Sequence, residues 1–231
     1  MAGSMVTLTS FDGREFSAYL AKADASGASG IVILQEIFGI NTFVREAADR
    51  FAAAGYNVIA PDLFWRQEPG LQLNPGSEED RARAMGLMKN LDEDAAMRDA
   101  ASSAAWLRDA MACERVGAVG YCLGGKLAYL AAMDPAFDAT VAYYGVAIQS
   151  ALAKADGIRA PLLLHIAAED TLCPPEAQAQ IVEALEPKGV RITTHAGAGH
   201  AFARYNTPAY NAAAAEPADS ETSEFLTEYL K

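Results

Sequence analysis

The stretch Arg115 to Tyr129 constrains the fold more than any other: Arg-Val-Gly-Ala-Val-Gly-Tyr-Cys-Leu-Gly-Gly-Lys-Leu-Ala-Tyr. Val116 to Tyr121 is a short apolar run and reads as a buried strand. Gly124 and Gly125 follow, then a helical stretch through Met133. Cys122 therefore falls on a sharp strand-to-helix turn, Gly-x-Cys-x-Gly-Gly, the arrangement of a nucleophile elbow, whose commoner form carries Ser. Such a turn holds its central residue in a strained backbone conformation. Gly120 and Gly124, two before and two after, let neighbouring backbone approach without a Cβ clash. The thiol then faces the first turn of a helix, where free N–H groups and the positive dipole end favour a thiolate. The plainer reading is a packed core cysteine beside a tight turn.

The rest of the chain supplies a frame for that turn. Val6 to Ser10 and Glu15 to Ala21 read as strands joined around Asp12-Gly13, a hairpin signal. Lys22 to Gly30 is a small-residue loop, and Ile31 to Gln35 a continuously apolar strand covered on both faces. Asn41 caps a helix through Ala54, stopped at Gly55. Tyr56 to Ala60 is a further strand, and Leu63 to Gly76 a long loop broken by prolines. Ser77 caps a helix through Met88, and Asp92 to Ala112 forms a longer one. After the elbow come strands at Thr140 to Tyr144, Pro161 to Ala167 and Arg191 to Ala196. A helix at Pro175 to Leu185 lies between the last two, and a final helix spans about Asp219 to Leu230. Alternating buried strands and helices predict an α/β fold, a doubly wound, mostly parallel sheet with an N-terminal antiparallel hairpin. No repeat or low-complexity linker interrupts it, so residues 1–231 are expected to form one domain.

Composition narrows the partners. The chain carries 30 acidic against 18 basic residues, a net charge of -12, which argues against nucleic acid or an anionic membrane. Neither a membrane-length apolar run nor a secretory signal at Met1 to Ser10 is visible. The three cysteines, Cys113, Cys122 and Cys173, are odd in number and lack CxxC spacing, which points to a reducing, cytoplasmic compartment. No zinc-ligand spacing links them to His165, His195 and His200, and no metal site is expected.

Ligands of such sheets collect at the carboxyl ends of the strands. Cys122, Asp170 and His200 each follow a predicted strand, in the chain order nucleophile, acid, histidine of the α/β-hydrolase fold. Asp170 would orient the His200 ring, and His200 would share the thiol proton and later protonate the leaving group. Alone, Asp170 reads as a turn-capping carboxylate and His200 as a surface histidine; Glu169 is a rival acid. His165 and His195 read as satisfied strand histidines, and Cys113 and Cys173 as inert packing groups. In this fold the oxyanion donors are the N–H after the nucleophile and one in the loop after an early strand, here Leu123 and Ile37.

Four motifs together carry a resemblance: Gly-Tyr-Cys-Leu-Gly-Gly at 120–125, Gln-Glu-Ile-Phe-Gly at 35–39, Ala-Pro-Asp-Leu-Phe at 60–64 and Gly-x-Gly-His-Ala-Phe at 197–202. The chain resembles the dienelactone hydrolase family over essentially its whole length. The resemblance implies a small, cofactor-free hydrolase whose type activity opens a lactone to maleylacetate during breakdown of (chloro)catechols. It implies Cys122, Asp170 and His200 as nucleophile, acid and histidine, with Glu36 near the thiol. The resemblance further implies that this glutamate helps set the thiol's protonation, so that thiolate forms mainly with substrate bound; in agreement, a carboxylate beside a thiol opposes a second negative charge and raises the thiol's pKa. The bland role for Glu36 is a cap for the helix at Asn41. The resemblance also implies that Arg81 and Arg204 hold a substrate carboxylate, with Arg83 a rival to Arg81; an arginine fork suits a carboxylate. Met85 and Met88 stand where the dienelactone enzymes carry aromatic residues, which puts the substrate in question. Trp65, Phe38, Phe202 and Tyr144 are alternative pocket aromatics.

The expected protein is a cysteine-dependent hydrolase of small esters or lactones bearing a carboxylate, a monomer or dimer. The alternatives are a general carboxylesterase or thioesterase, a non-catalytic small-ligand binder on the same fold, and a redox role for Cys122. The last needs a nearby resolving thiol that the sequence does not supply.

Overall fold

In a computed structural model describing residues 3–24 and 27–231, eight strands hydrogen-bond in the order β1-β2-β4-β3-β5-β6-β7-β8. Ala25 and Ser26, inside the expected loop Lys22 to Gly30, and Met1 and Ala2 of the segment read for a signal, lie outside the described residues. The chain divides into two compact units, Met1–Ala118 and Val119–Lys231, the boundary falling inside β5 (Val116–Tyr121).

In the first unit β1 (Ser4–Thr9) and β2 (Glu15–Ala21) form the expected hairpin, with Met5 opposite Tyr19. β2 also pairs antiparallel with β4 (Asn57–Pro61), and β4 runs parallel to β3 (Gly30–Leu34). All five residues of β3 and of β4 are buried, as their unbroken apolar runs require. Helix α1 (Thr42–Ala53) starts where Asn41 Oδ1 accepts the Val44 N–H at 3.2 Å, which removes one orphan donor. Its buried face, Phe43, Val44, Ala47, Ala48 and Ala52, packs on β2, β3 and β4. Helix α3 (Glu93–Met111), capped by Asp92, packs on β1, β3 and β4. Helix α2 (Glu78–Lys89) buries only Ala84; its stability comes from the Ser77 cap and from Glu78, Glu79 and Asp80 at the positive dipole end.

In the second unit β6 (Ala139–Tyr143), β7 (Leu162–Ala167) and β8 (Arg191–His195) are parallel. β8 is the edge strand and half exposed, whereas β6 and β7 are fully buried. Helix α4 (Leu123–Ala131) packs on β6, and α5 (Pro175–Leu185) on a 3-10 segment, Ile148–Gly157, that the sequence did not signal. The C-terminal helix α6 (Ala212–Leu230) begins seven residues before the expected Asp219. Pro217 hid its first turns, since proline lacks the N–H that an interior position donates. The helix persists because Ala214, Ala215, Ala218, Thr222, Phe225, Leu226 and Leu230 are buried along it.

Candidate active site

Cys122 follows β5 and precedes α4, with φ 57° and ψ −113°. Cys122 makes no side-chain cap bond to α4, and a non-glycine residue at this φ is strained, so the surrounding backbone bonds must hold it. The Cys122 N–H donates to the Tyr143 carbonyl at 3.1 Å, and the Cys122 carbonyl accepts N–H bonds from Gly125, Lys126 and Val146. A Cβ on Gly120 would lie 1.8 Å from the Gly124 carbonyl oxygen. One on Gly125 would lie 2.7 Å from Gly145 Cα and 2.8 Å from the Tyr143 carbonyl oxygen. The elbow closes only because these positions lack side chains; Gly125 and Gly145 are close-approach positions that the sequence reading did not single out. The thiol side chain is buried.

Asp170 lies on the loop after β7 and His200 on the loop after β8, so two neighbouring parallel strands deliver them to the same end. His200 Nδ1 lies 2.7 Å from Asp170 Oδ2. Asp170 Oδ1 accepts the Leu172 N–H at 2.8 Å, and the carboxylate is buried. Glu169 is exposed and is not the partner of the ring. Burial alone would lower the His200 pKa, but the Asp170 hydrogen bond and the adjoining Cys122 raise it to about 10. Nε2 of His200 has no hydrogen bond of good geometry among the described residues, although Cys122 is near enough to favour the charged ring. Such contacts commonly tighten only when substrate binds.

Tyr144, one residue beyond β6, has φ 38° and is held by its N–H to the His165 carbonyl at 2.8 Å. Its ring stands edge-on to His200 at 5.2 Å and to Phe202 at 5.4 Å between centroids. Arg204 is half-buried on the loop that carries His200. Leu123 opens α4, and its N–H meets no acceptor among the described residues.

In the first unit Glu36 is buried, and the cap of α1 is Asn41 itself. Ile37 is buried and its N–H likewise meets no acceptor among the described residues. Arg81 is exposed and donates to the Pro75 carbonyl at 3.0 Å, while Arg83 pairs with Glu68. Trp65 is a core residue: its indole N–H donates to buried Asp99 at 2.8 Å and its ring stacks on Phe16. Phe38 is buried, and Met85 exposed.

His165 and His195 are buried and satisfied, their Nδ1 and Nε2 lying 3.1 Å apart, with Thr222 Oγ1 2.9 Å from His165 Nε2. Burial raises the Cys113 thiol, and burial with the nearby Asp170 pushes Cys173 up to about 11, so both are poor nucleophiles. No group of three or more His, Cys, Asp or Glu side chains suited to a metal ion occurs among the described residues. No helix among them is long and apolar enough to cross a membrane.

A mixed eight-stranded sheet with a strand–Cys–helix elbow, and an acid and a histidine paired beyond the later strands, defines an α/β-hydrolase. Residues 16–230 match the dienelactone hydrolase family. The chain belongs to that family. A carboxymethylenebutenolidase of Pseudomonas putida is 35% identical over 223 residues, covering 96% of this chain and 94% of its own. Carboxymethylenebutenolidase 1 of Cupriavidus pinatubonensis is 34% identical over 228 residues, covering 98% and 97%. A structure from Klebsiella pneumoniae, provisionally described as a dienelactone hydrolase, superposes with a TM-score of 0.84 at 24% identity, covering 98% of this chain and all of that one, and supports the fold alone. The chain is a hydrolase of ester or lactone bonds.

Proposed function

We propose that the chain is a cysteine-dependent hydrolase of small lactones and esters bearing a carboxylate, of the kind its carboxymethylenebutenolidase relatives are named for. The observation that carries this reading is the Asp170–His200 pair at 2.7 Å beside a cysteine held at positive φ on an elbow. Cys122 sulfur attacks the substrate carbonyl carbon, and the carbonyl π electrons move to oxygen. The N–H groups of Leu123 and Ile37 receive that oxyanion, neither meeting an acceptor among the described residues. The C–O bond of the ester then breaks. In a lactone the leaving enolate stays tethered; in a simple ester an alcohol departs with the proton from His200. Water then attacks the thioester carbonyl, giving its proton to the tethered enolate in a lactone or to the now neutral His200 in a simple ester, and the carbon–sulfur bond breaks to return Cys122. Asp170 keeps the ring oriented and its charge stabilised through both steps.

Arg204, on the histidine loop, is assigned the substrate carboxylate, with Glu36 tuning the thiol. Arg81 is a weaker partner, because its guanidinium is exposed and engaged with the Pro75 carbonyl. That observation favours, as a second reading, a broader carboxylesterase with one arginine rather than a fork. We take residues 1–231 as one catalytic domain working in the cytoplasm as a monomer or dimer, without nucleic acid or membrane partners. The reading is tested by assaying trans- and cis-dienelactone beside p-nitrophenyl acetate with Cys122→Ser and Arg204→Ala. Dienelactone turnover that falls in Arg204→Ala is expected. Turnover of the simple ester alone, indifferent to Arg204, selects the broader esterase, and activity retained in Cys122→Ser refutes the cysteine mechanism.

A further inference from the structure

Asp62 is a buried carboxylate with no part in the chemistry above. It follows β4, is 1% exposed, and makes no ion pair among the described residues. Burying such a group is costly unless its oxygens are satisfied. Both are satisfied by backbone: Oδ1 accepts the Phe64 N–H at 3.1 Å and Oδ2 the Gly70 N–H at 2.7 Å. One side chain thus closes residues 62–70 into a ring.

What that closed segment touches gives Asp62 its significance. At its start, the Leu63 N–H donates to Gln35 Oε1 at 3.3 Å. Just past its end, the Leu73 N–H donates to the Phe38 carbonyl at 2.9 Å, and Gln72 bridges Gly39 in antiparallel fashion. Gly39 has φ +74°, and a Cβ there would lie 1.9 Å from the Leu71 carbonyl oxygen. The pentapeptide Gln35 to Gly39 is therefore held at one end by the segment that Asp62 closes and at the other by the residues that directly follow it. Ile37, whose N–H meets no acceptor among the described residues, lies at its centre.

We infer that Asp62 is a positioning residue for the reaction: it fixes the segment 62–73 that aims the Ile37 N–H. This rests on the proposed role of Ile37 as an oxyanion donor. A carboxylate suits the task because it accepts on both oxygens; an asparagine would turn an NH2 toward one of the two N–H donors. Burial pushes Asp62 up to about 6, the two N–H bonds working against that rise and the charge of Glu68 adding to it. At pH 8 the group is ionised and both bonds are in place.

The test is made at pH 8 on the full chain with Asp62→Asn, Gly39→Ala and Ile37→Pro. The readouts are kcat and KM on p-nitrophenyl acetate and the rate of Cys122 alkylation by iodoacetamide, which needs no oxyanion donor. For Asp62→Asn, kcat should fall by about 10- to 100-fold, the scale of a small misplacement. KM and the alkylation rate should stay within about twofold, because the donor acts on the transition state. Gly39→Ala strikes the same contact from the other side and should give the same split, so a failure of Asp62→Asn to fold leaves the inference open to refutation. Unchanged kcat in Asp62→Asn, or kcat and alkylation falling together, overturns it. Ile37→Pro deletes the donor itself. Wild-type kcat there sinks the oxyanion role of Ile37, and the inference with it. A loss in Ile37→Pro with none in Asp62→Asn sinks only the positioning role.

Discussion

Replacing His165 by Gln should change how stability depends on pH, and by an amount that follows from the burial of that ring. His165 is 1% exposed, and its neighbours Thr222, His195 and Tyr143 satisfy a neutral imidazole but offer no compensation for a charged one. The nearest carboxylate, Glu221, is 3.8 Å from Nδ1 and is also engaged by Thr193. Burial first, and the neighbouring His195 second, push the His165 pKa from 6.5 down to about 3. A group depressed in the folded state leaves stability intact above its unfolded value and removes it as pH falls toward the folded one. With 6.5 unfolded and about 3 folded, the loss is negligible at pH 7.5, about 2 kcal/mol at pH 5 and about 3 kcal/mol at pH 4. Gln cannot titrate, and its amide can still reach Thr222, so the variant should lose none of this increment. Urea unfolding of both proteins from pH 7.5 to pH 4.5 reads this contribution, because titrations away from the His165–His195 pair cancel in the difference and only those of the two rings remain. The variant should be the less stable at pH 7.5. The gap should then close by about 2 kcal/mol by pH 5, a relative midpoint shift of roughly 1 M urea for a slope of about 2 kcal/mol/M. A stability gap that does not change with pH would refute the assignment of a neutral, desolvated His165.

Gly120→Ala should abolish turnover and destabilise the chain by more than the roughly 1–3 kcal/mol of ordinary overpacking, because its Cβ would sit 1.8 Å from a carbonyl oxygen with no flexible side chain to yield; ester hydrolysis and thermal unfolding check both. Asp170→Asn should leave Cys122 present but lower kcat by up to about 10⁴-fold, as loss of the orienting carboxylate does in a serine triad, measured on p-nitrophenyl acetate. Cys122→Ser should lower the His200 pKa from its value of about 10, since two of the interactions that raise it come from the cysteine; imidazole NMR titration reads this directly. In the wild type, His200 stabilises the fold fully below pH 6.5 and loses that contribution as pH rises toward 10, and Cys122→Ser should flatten this alkaline loss.

Much of this molecule is legible in sequence because its strongest signals are short-range. The elbow is a contiguous string, and the hairpin is announced by Asp12-Gly13. Asn41, Ser77 and Asp92 bond their own helices three residues on. Strand and helix alternation follows from apolar runs that the chain must bury. The rule that sites gather beyond parallel strands then puts Asp170 and His200 together, and the structure brings them to 2.7 Å. Competing local rules produced the misses. Pro217 obeys the expectation for a helix breaker and is overridden by seven buried side chains on α6. The 3-10 segment at Ile148–Gly157 buries only Ile148, Ala151 and Ala155, two of them alanines, too weak an apolar stripe to mark an element. Tyr144 read as the last strand residue, whereas its backbone turns to positive φ one step past the strand, and no residue-type preference foretells that for a tyrosine.

The residues hardest to read were those whose work depends on backbone atoms. Asp62 sits in the quoted Ala-Pro-Asp-Leu-Phe motif, yet only the motif's pattern, and no role for its carboxylate, could be read there. Its two partners are N–H groups two and eight residues along the chain, and every non-proline residue has an N–H. The same holds for Ile37 and Leu123, which are unremarkable as apolar side chains and to which we assign a role through N–H groups that meet no acceptor among the described residues. A cysteine, a histidine and an aspartate declare their chemistry by type, so a sequence exposes the groups that break bonds. The groups that hold a developing charge in place are specified by how tightly the peptide is fixed. In this chain we assign that fixing to Gly39, where a Cβ would lie 1.9 Å from the Leu71 carbonyl oxygen, and to Asp62, whose carboxylate accepts the Phe64 and Gly70 N–H groups.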